Sequence, residues 1–280
     1  MGSFGLDFVC VGPQRTGTTW IHEMLQGHPD LCFPEGVKET MFFGRYFERG
    51  IEWYSQYFRH AQSDELLGEV APTYFSNPAV PKRIQRLSPN CTIFITLRNP
   101  VERAWSLFLH HLKKGRVSDN FYEAAERIPE IIDGGRYAHH IPRWKSIFGA
   151  GQVELLLLRD LDLEPEKTLH SIQRTLGVTC IAPPGNRGES INDRSLPRFP
   201  VLARGASFLA TKLHEYGLHD VVRVAKKTGA KSFFYSGGEG RMPMWSASTR
   251  KALSEKYEED IRFIEEETGR DLSGWREQPS

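Results

Sequence analysis

Apolar residues in this chain alternate between short continuous runs and stretches of helical spacing. Phe8–Gly12 is a run of the first kind and ends in Gly-Pro, which predicts a buried strand feeding a loop. From Gly17 the spacing turns helical, with Trp20, Met24 and Leu25 on one face and a stop near Gly27-His28-Pro29. Residues 66–71 predict a second strand. Pro78 starts a helix carrying Val80, Ile84 and Leu87 at helical spacing. Residues 91–97, rich in β-branched side chains, predict a third strand. Pro100 suits the first turn of the helix after it, which passes Trp105 and Leu112 and stops near Gly115. Residues 153–158, apolar except at Glu154, predict a fourth strand of the kind found at the centre of a parallel sheet. A helix over 163–176 follows and ends at Gly177. Residues 198–227 predict helix, 232–243 a glycine-rich basic loop, and 246–267 one long helix with Leu253, Tyr257, Ile261 and Ile264 on its apolar side. Strands alternating with helices predict an α/β fold: one P-loop-like domain over 1–280, with a central parallel sheet flanked by helices.

Composition changes this picture little. The 280 residues suffice for a substantial core. Lysine and arginine number 36 against 35 acidic residues, so global charge does not point to nucleic acid. Apolar runs are too short to span a bilayer. The polar segment before Phe8 is too short for a signal peptide, and Leu6 breaks a myristoylation motif at Gly2. Cys10, Cys32, Cys91 and Cys180 form no Cys-x-x-Cys pair and read as reduced core thiols, which fits a cytoplasmic location.

The chemistry begins at Gly12-Pro13-Gln14-Arg15-Thr16-Gly17-Thr18-Thr19. This loop has two-glycine spacing between a strand and a helix. Glycines let backbone N–H groups approach an anion, and the helix N-terminus adds partial positive charge. A nucleoside triphosphate loop ends in Gly-Lys-Ser/Thr. Here Thr18 stands at the lysine position and the cation is Arg15 inside the loop. The site therefore suits a shorter 5′ anion better than the β- and γ-phosphates of ATP.

Pro13-Gln14-Arg15-Thr16-Gly17-Thr18-Thr19 resembles the 5′-phosphosulfate loop of sulfotransferases that use 3′-phosphoadenosine 5′-phosphosulfate (PAPS). In most members the loop cation is lysine. Arg15 keeps the charge but offers a planar fork. Leu97-Arg98-Asn99-Pro100-Val101-Glu102-Arg103-Ala104-Trp105-Ser106 resembles the family's 3′-phosphate motif, with that role falling on Arg98 and Ser106. Lys38-Glu39-Thr40-Met41-Phe42-Phe43, Gly50-Ile51-Glu52-Trp53-Tyr54 and Gly68-Glu69-Val70-Ala71-Pro72-Thr73-Tyr74-Phe75 resemble the branch holding the heparan sulfate sulfotransferases and bacterial relatives. Gly135-Arg136-Tyr137 with Trp144, and the closing Gly269-Arg270-Asp271-Leu272-Ser273-Gly274-Trp275, read like bacterial members.

The resemblance implies sulfuryl transfer from PAPS to a hydroxyl or amine, leaving adenosine 3′,5′-bisphosphate, with no metal required. It places the general base on Glu39, with Lys38 tuning its charge and Arg15 stabilising the leaving group. Thr16, Gly17, Thr18, Thr19, Arg98, Ser106 and Arg241 would hold the donor, with Arg194 or Arg198 as substitutes for Arg241. Glu69 is the rival base, or else a substrate-site or structural carboxylate, and Tyr74 and Phe43 are expected on the acceptor side. Many members of the branch carry lysine after that glutamate; this chain has Val70. His110 and His111, late on a helix, read as residues that complement its dipole. Two other readings compete: a P-loop kinase or NTPase using Mg-ATP, and a nucleotide-binding module without turnover. The acceptor stays open among a saccharide, a peptide, a lipid and a secondary metabolite.

Overall fold

The computed structural model describes residues 4–183 and 243–276. Five parallel strands form one sheet in the order β2-β3-β1-β4-β5: β1 (Phe8–Gly12), β2 (Leu31–Cys32), β3 (Leu66–Val70), β4 (Thr92–Leu97) and β5 (Val153–Leu157). Side chains alternate across a strand. Phe8 and Cys10 therefore join Ile21, Met24 and Leu169 on one face, while Val9 and Val11 join Tyr74, Ile141 and Ile261 on the other. Both faces are covered, which is why β1 reads as an unbroken apolar run. From β1 the chain builds β2 and β3 on one side, then crosses to β4 and β5 on the other. That change of direction falls at β1, and open α/β sheets bind ligands beyond the C-terminal ends of the strands at such a point.

The helices are α1 (Thr18–Leu25), α2 (Ile51–Ser55), α3 (Val80–Leu87), α4 (Pro100–Lys113), α5 (Phe121–Arg127), α6 (Glu130–Asp133), α7 (Tyr137–Phe148), α8 (Leu158–Leu163), α9 (Pro165–Leu176), α10 (Ala247–Lys256) and α11 (Glu258–Thr268). Three differ from the sequence expectation. The helix expected from Leu163 starts at Leu158, is interrupted at Glu164 (φ −133°), and resumes at Pro165, whose ring is tolerated only in a first turn. The final helix is two, broken at Tyr257 (φ −100°, ψ 9°), whose hydroxyl is drawn inward to donate to the Ile132 carbonyl at 2.7 Å. The helix assigned to Pro78 begins at Val80, with Pro81 in its first turn. Helices α2, α5, α6 and α7 and strand β2 carried no expectation. Cys10, Cys32 and Cys91 are buried free thiols, but Cys180 is exposed, which corrects its reading as a core residue. Among the described residues no helix is long and apolar enough to cross a membrane.

Candidate functional site

The loop after β1 is built by close approach. Gly12 has φ +91°, and a Cβ there would lie 2.6 Å from the Pro72 Cα. Gly17 caps α1 at φ +97°, and a Cβ would strike Leu158 and Leu161 at 2.8 Å. Both positions thus need glycine for conformation and for space. Thr16 is fully buried. Its hydroxyl bonds the Pro13 carbonyl and the Thr96 hydroxyl, each at 2.6 Å, so the side chain braces the loop from within. Thr18 is buried at the first position of α1, and Thr19 is exposed beside it.

Arg15 is exposed at φ 74°. Its Nε donates to Ser106 Oγ at 3.0 Å, joining the loop to the motif on α4. Partial desolvation and then the nearby Arg98 charge lower the guanidinium's pKa. Each cation disfavours the charge of the other, and an anion placed between them would relieve that repulsion. Arg98 leaves the end of β4 and donates to Glu102 Oε2 from Nε at 3.1 Å and from its terminal nitrogen at 3.0 Å. The Tyr137 hydroxyl donates to the Arg98 carbonyl at 2.7 Å and fixes that strand end. Lys38 Nζ donates to Thr19 Oγ1 at 3.2 Å, which brings a third cation to the start of α1. Desolvation lowers its pKa against the opposing pull of Cys10, Glu39 and Glu23.

The two glutamates occupy different settings. Glu39 is half-buried, and its Oε1 accepts from Thr73 N at 3.1 Å and from the Thr73 hydroxyl. Burial raises its pKa, while Thr73 and then Lys38 pull it back down. Glu69 is sealed in the core. Its carboxylate accepts from Thr40 N and Thr40 Oγ1 at 2.6 Å each and from the Tyr54 hydroxyl at 2.7 Å. Burial pushes it up to about 7 despite those donors. Its contacts tie down the backbone next to Glu39. With no exposed surface, Glu69 cannot take a proton from an acceptor in this arrangement.

Tyr74 and Phe43 are also fully buried. Their rings meet edge to face at 5.9 Å, and the Tyr74 hydroxyl accepts from Phe43 N at 3.3 Å. They pack in the core beside the Glu39–Thr40 segment instead of lining an open acceptor surface. His110 and His111 lie on α4 beyond Ser106. Burial, then Lys114 and Arg15, pushes His110 down to about 3; burial, then Arg116, pushes His111 down to about 4. Both are neutral at physiological pH, which corrects the expectation of dipole-complementing charges. Arg241, Arg194, Arg198 and the glycine-rich loop lie outside the described residues.

Residues 6–192 match the sulfotransferase domain. The chain belongs to the sulfotransferase family. It is 31% identical over 189 residues to the bifunctional heparan sulfate N-deacetylase/N-sulfotransferase 1 of Caenorhabditis elegans, covering 61% of this chain and 22% of that protein. The corresponding enzyme 2 of Mus musculus is 32% identical over 193 residues, with the same coverage of 61% and 22%. The matched region is thus about a fifth of the length of these relatives. A sulfotransferase from Alicyclobacillus acidocaldarius superposes with a TM-score of 0.70 at 21% identity, covering 98% of this chain and all of that one. The sulfotransferase domain of the curacin biosynthetic pathway gives 0.50 at 16% identity, covering 92% and 99%. These two likenesses show the fold.

In this sulfotransferase, sequence reasoning missed Thr73, Thr96 and Tyr137 as supports of the site. Thr73 and Tyr137 stood inside motifs singled out for resemblance, but neither has a local signal for its bond. Thr73 reaches back 34 positions to Glu39, and Tyr137 reaches back 39 to Arg98.

Proposed function

We propose that this sulfotransferase moves a sulfuryl group from PAPS to a hydroxyl or amine of an acceptor, with Glu39 as general base. The observation that carries the reading is the Arg15–Ser106 bond, which joins two motifs distant in the chain into one crevice. Arg15, Lys38 and the first N–H groups of α1 surround the place where the 5′ anion would sit. Arg98 and Ser106 stand where a 3′-phosphate would reach. Thr18, neutral and buried, occupies the position of a triphosphate-binding lysine, which disfavours the Mg-ATP reading.

Each residue then has a task in an in-line displacement. Glu39 takes the proton from the acceptor as its oxygen or nitrogen bonds sulfur. Arg15 and Lys38 meet the negative charge that develops on the bisphosphate oxygen as its bond to sulfur breaks. The proton ends on Glu39 and the electron pair of the broken bond stays with adenosine 3′,5′-bisphosphate. The relatives named above are heparan sulfate N-sulfotransferases, so an amine-bearing saccharide is the acceptor class we propose first. The four unpaired thiols support a reducing, cytoplasmic setting as part of the same proposal.

Arg98→Ala tests the donor assignment. It should weaken adenosine 3′,5′-bisphosphate by about tenfold or more, as loss of a charge-assisted contact does. Affinity for adenosine 5′-phosphosulfate, which lacks the 3′-phosphate, should stay near wild type. Equal losses for both nucleotides would remove the 3′-phosphate role from Arg98. Transfer of labelled sulfate from PAPS to N-deacetylated heparosan tests the acceptor class, and sulfation of phenols in preference to the saccharide would move it elsewhere.

A further inference from the structure

The base and the donor loop lie on separate segments, yet displacement on sulfur requires their relative position to be held closely. The structure contains a physical link between them. Beyond β3, Ala71 N donates to the Cys10 carbonyl at 2.8 Å, so the segment 71–73 is bonded to β1 at the root of the loop. The next residue, Pro72, fills the space that a side chain at Gly12 would need. Tyr74 N then donates to the Ala71 carbonyl at 3.0 Å and closes a turn. The Tyr74 hydroxyl lies buried beside Glu69 and Thr40. Thr73 is therefore held on both sides, by the donor loop and by the core. It is half-buried, and both of its donors converge on one atom, Glu39 Oε1.

We infer that Thr73 is a positioning residue that fixes Glu39 Oε1 relative to the phosphate loop and leaves Oε2 to face the acceptor's proton. The inference rests on the proposed role of Glu39 as base. A carboxylate held through one oxygen by two donors loses rotation about its terminal torsion. The same donors favour its charged form, which is the form that accepts a proton. The other ionisable groups that bear on this carboxylate are Lys38 next to it in the chain, and Glu69 and Tyr74 from the core side. Lys38 acts on Glu39 through its charge. Thr73 supplies the directional contacts.

Thr73→Val keeps the shape and the backbone N–H and removes the hydroxyl donor. In protein labelled with carbon-13 at the glutamate carboxyls, the signal lost in Glu39→Gln identifies Glu39. Its titration midpoint should rise in Thr73→Val and return to the wild-type value in Thr73→Ser. Turnover of PAPS with N-deacetylated heparosan should fall about tenfold at pH values below the new midpoint and recover above it. Affinity for adenosine 3′,5′-bisphosphate should not change. A merely structural threonine would lower turnover at every pH and leave the midpoint where it was. An unmoved midpoint in a folded variant, or failure of serine to restore it, overturns the inference. Should Thr73→Val unfold, Thr73→Ala carries the same titration. Full turnover in Glu39→Gln would instead overturn the base assignment, an outcome that the titration alone cannot produce.

Discussion

Glu39→Gln should lose turnover by about 10²- to 10⁴-fold, the usual contribution of a positioned general base, while binding adenosine 3′,5′-bisphosphate as tightly as the wild type. The isosteric amide can still accept from Thr73 at its carbonyl oxygen, so the loop keeps its shape; what is lost is proton affinity. The pH profile should report the same group. Burial raises the Glu39 pKa, and Thr73 and Lys38 only partly reverse this. The base works when deprotonated, so wild-type turnover should rise with pH through a limb displaced upward from the ordinary glutamate value. That limb should be absent in Glu39→Gln. Equal loss of affinity and turnover would make Glu39 a general support of the site and no specific base.

Gly12→Ala should destabilise the domain by about 2–5 kcal/mol. Two costs combine: an L-residue held at φ +91°, about 1–2 kcal/mol, and a methyl forced into backbone, about 1–3 kcal/mol. The added methyl would meet the Pro72 Cα at 2.6 Å, its Cβ at 2.8 Å and its carbonyl oxygen at 3.0 Å, which belong to a ring and a backbone and cannot swing aside. Thermal melting should drop by about 5–15 °C for a chain of this size. Residual folded protein should also bind the bisphosphate poorly, because Pro72 and the phosphate loop would be pushed apart. Gly151→Ala is the control. No atom lies within 4 Å of its added Cβ and its φ is not in the left-handed range, so its melting point should stay near that of the wild type. Equal melting points for the two variants would show that Gly12 and Pro72 are not in contact.

Strands β1, β3, β4 and β5 and the donor loop are legible in the sequence because their signals are local, whereas β2 has only two residues. β1 and β4 are covered on both faces, so their runs are apolar at nearly every position, and the glycines of the loop report their own backbone requirements. Helices α5 to α7 were not legible for reasons visible in the residues. α6 has only four residues, and α7 carries Pro142 in its interior, a residue that ordinarily argues against a helix. The break at Tyr257 follows from a tertiary bond to Ile132 that no spacing could show. The carboxylates were ranked by resemblance alone; their burial separates them physically. Glu69 and Glu39 look alike in sequence, yet one is enclosed by Thr40, Tyr54 and Tyr74 while the other keeps an oxygen outside its Thr73 contacts. Phe43 and Tyr74, expected on the acceptor side, belong to the core because the Phe43 ring packs edge-on against both Tyr54 and Tyr74.

Calorimetric binding of adenosine 3′,5′-bisphosphate, compared with ATP in the presence and absence of Mg²⁺, tests the central claim most directly. The crevice of Arg15, Lys38, Arg98 and Ser106 predicts tight binding of the bisphosphate that does not depend on the metal, with ATP much weaker in either condition. Preference for Mg-ATP over the bisphosphate would contradict it.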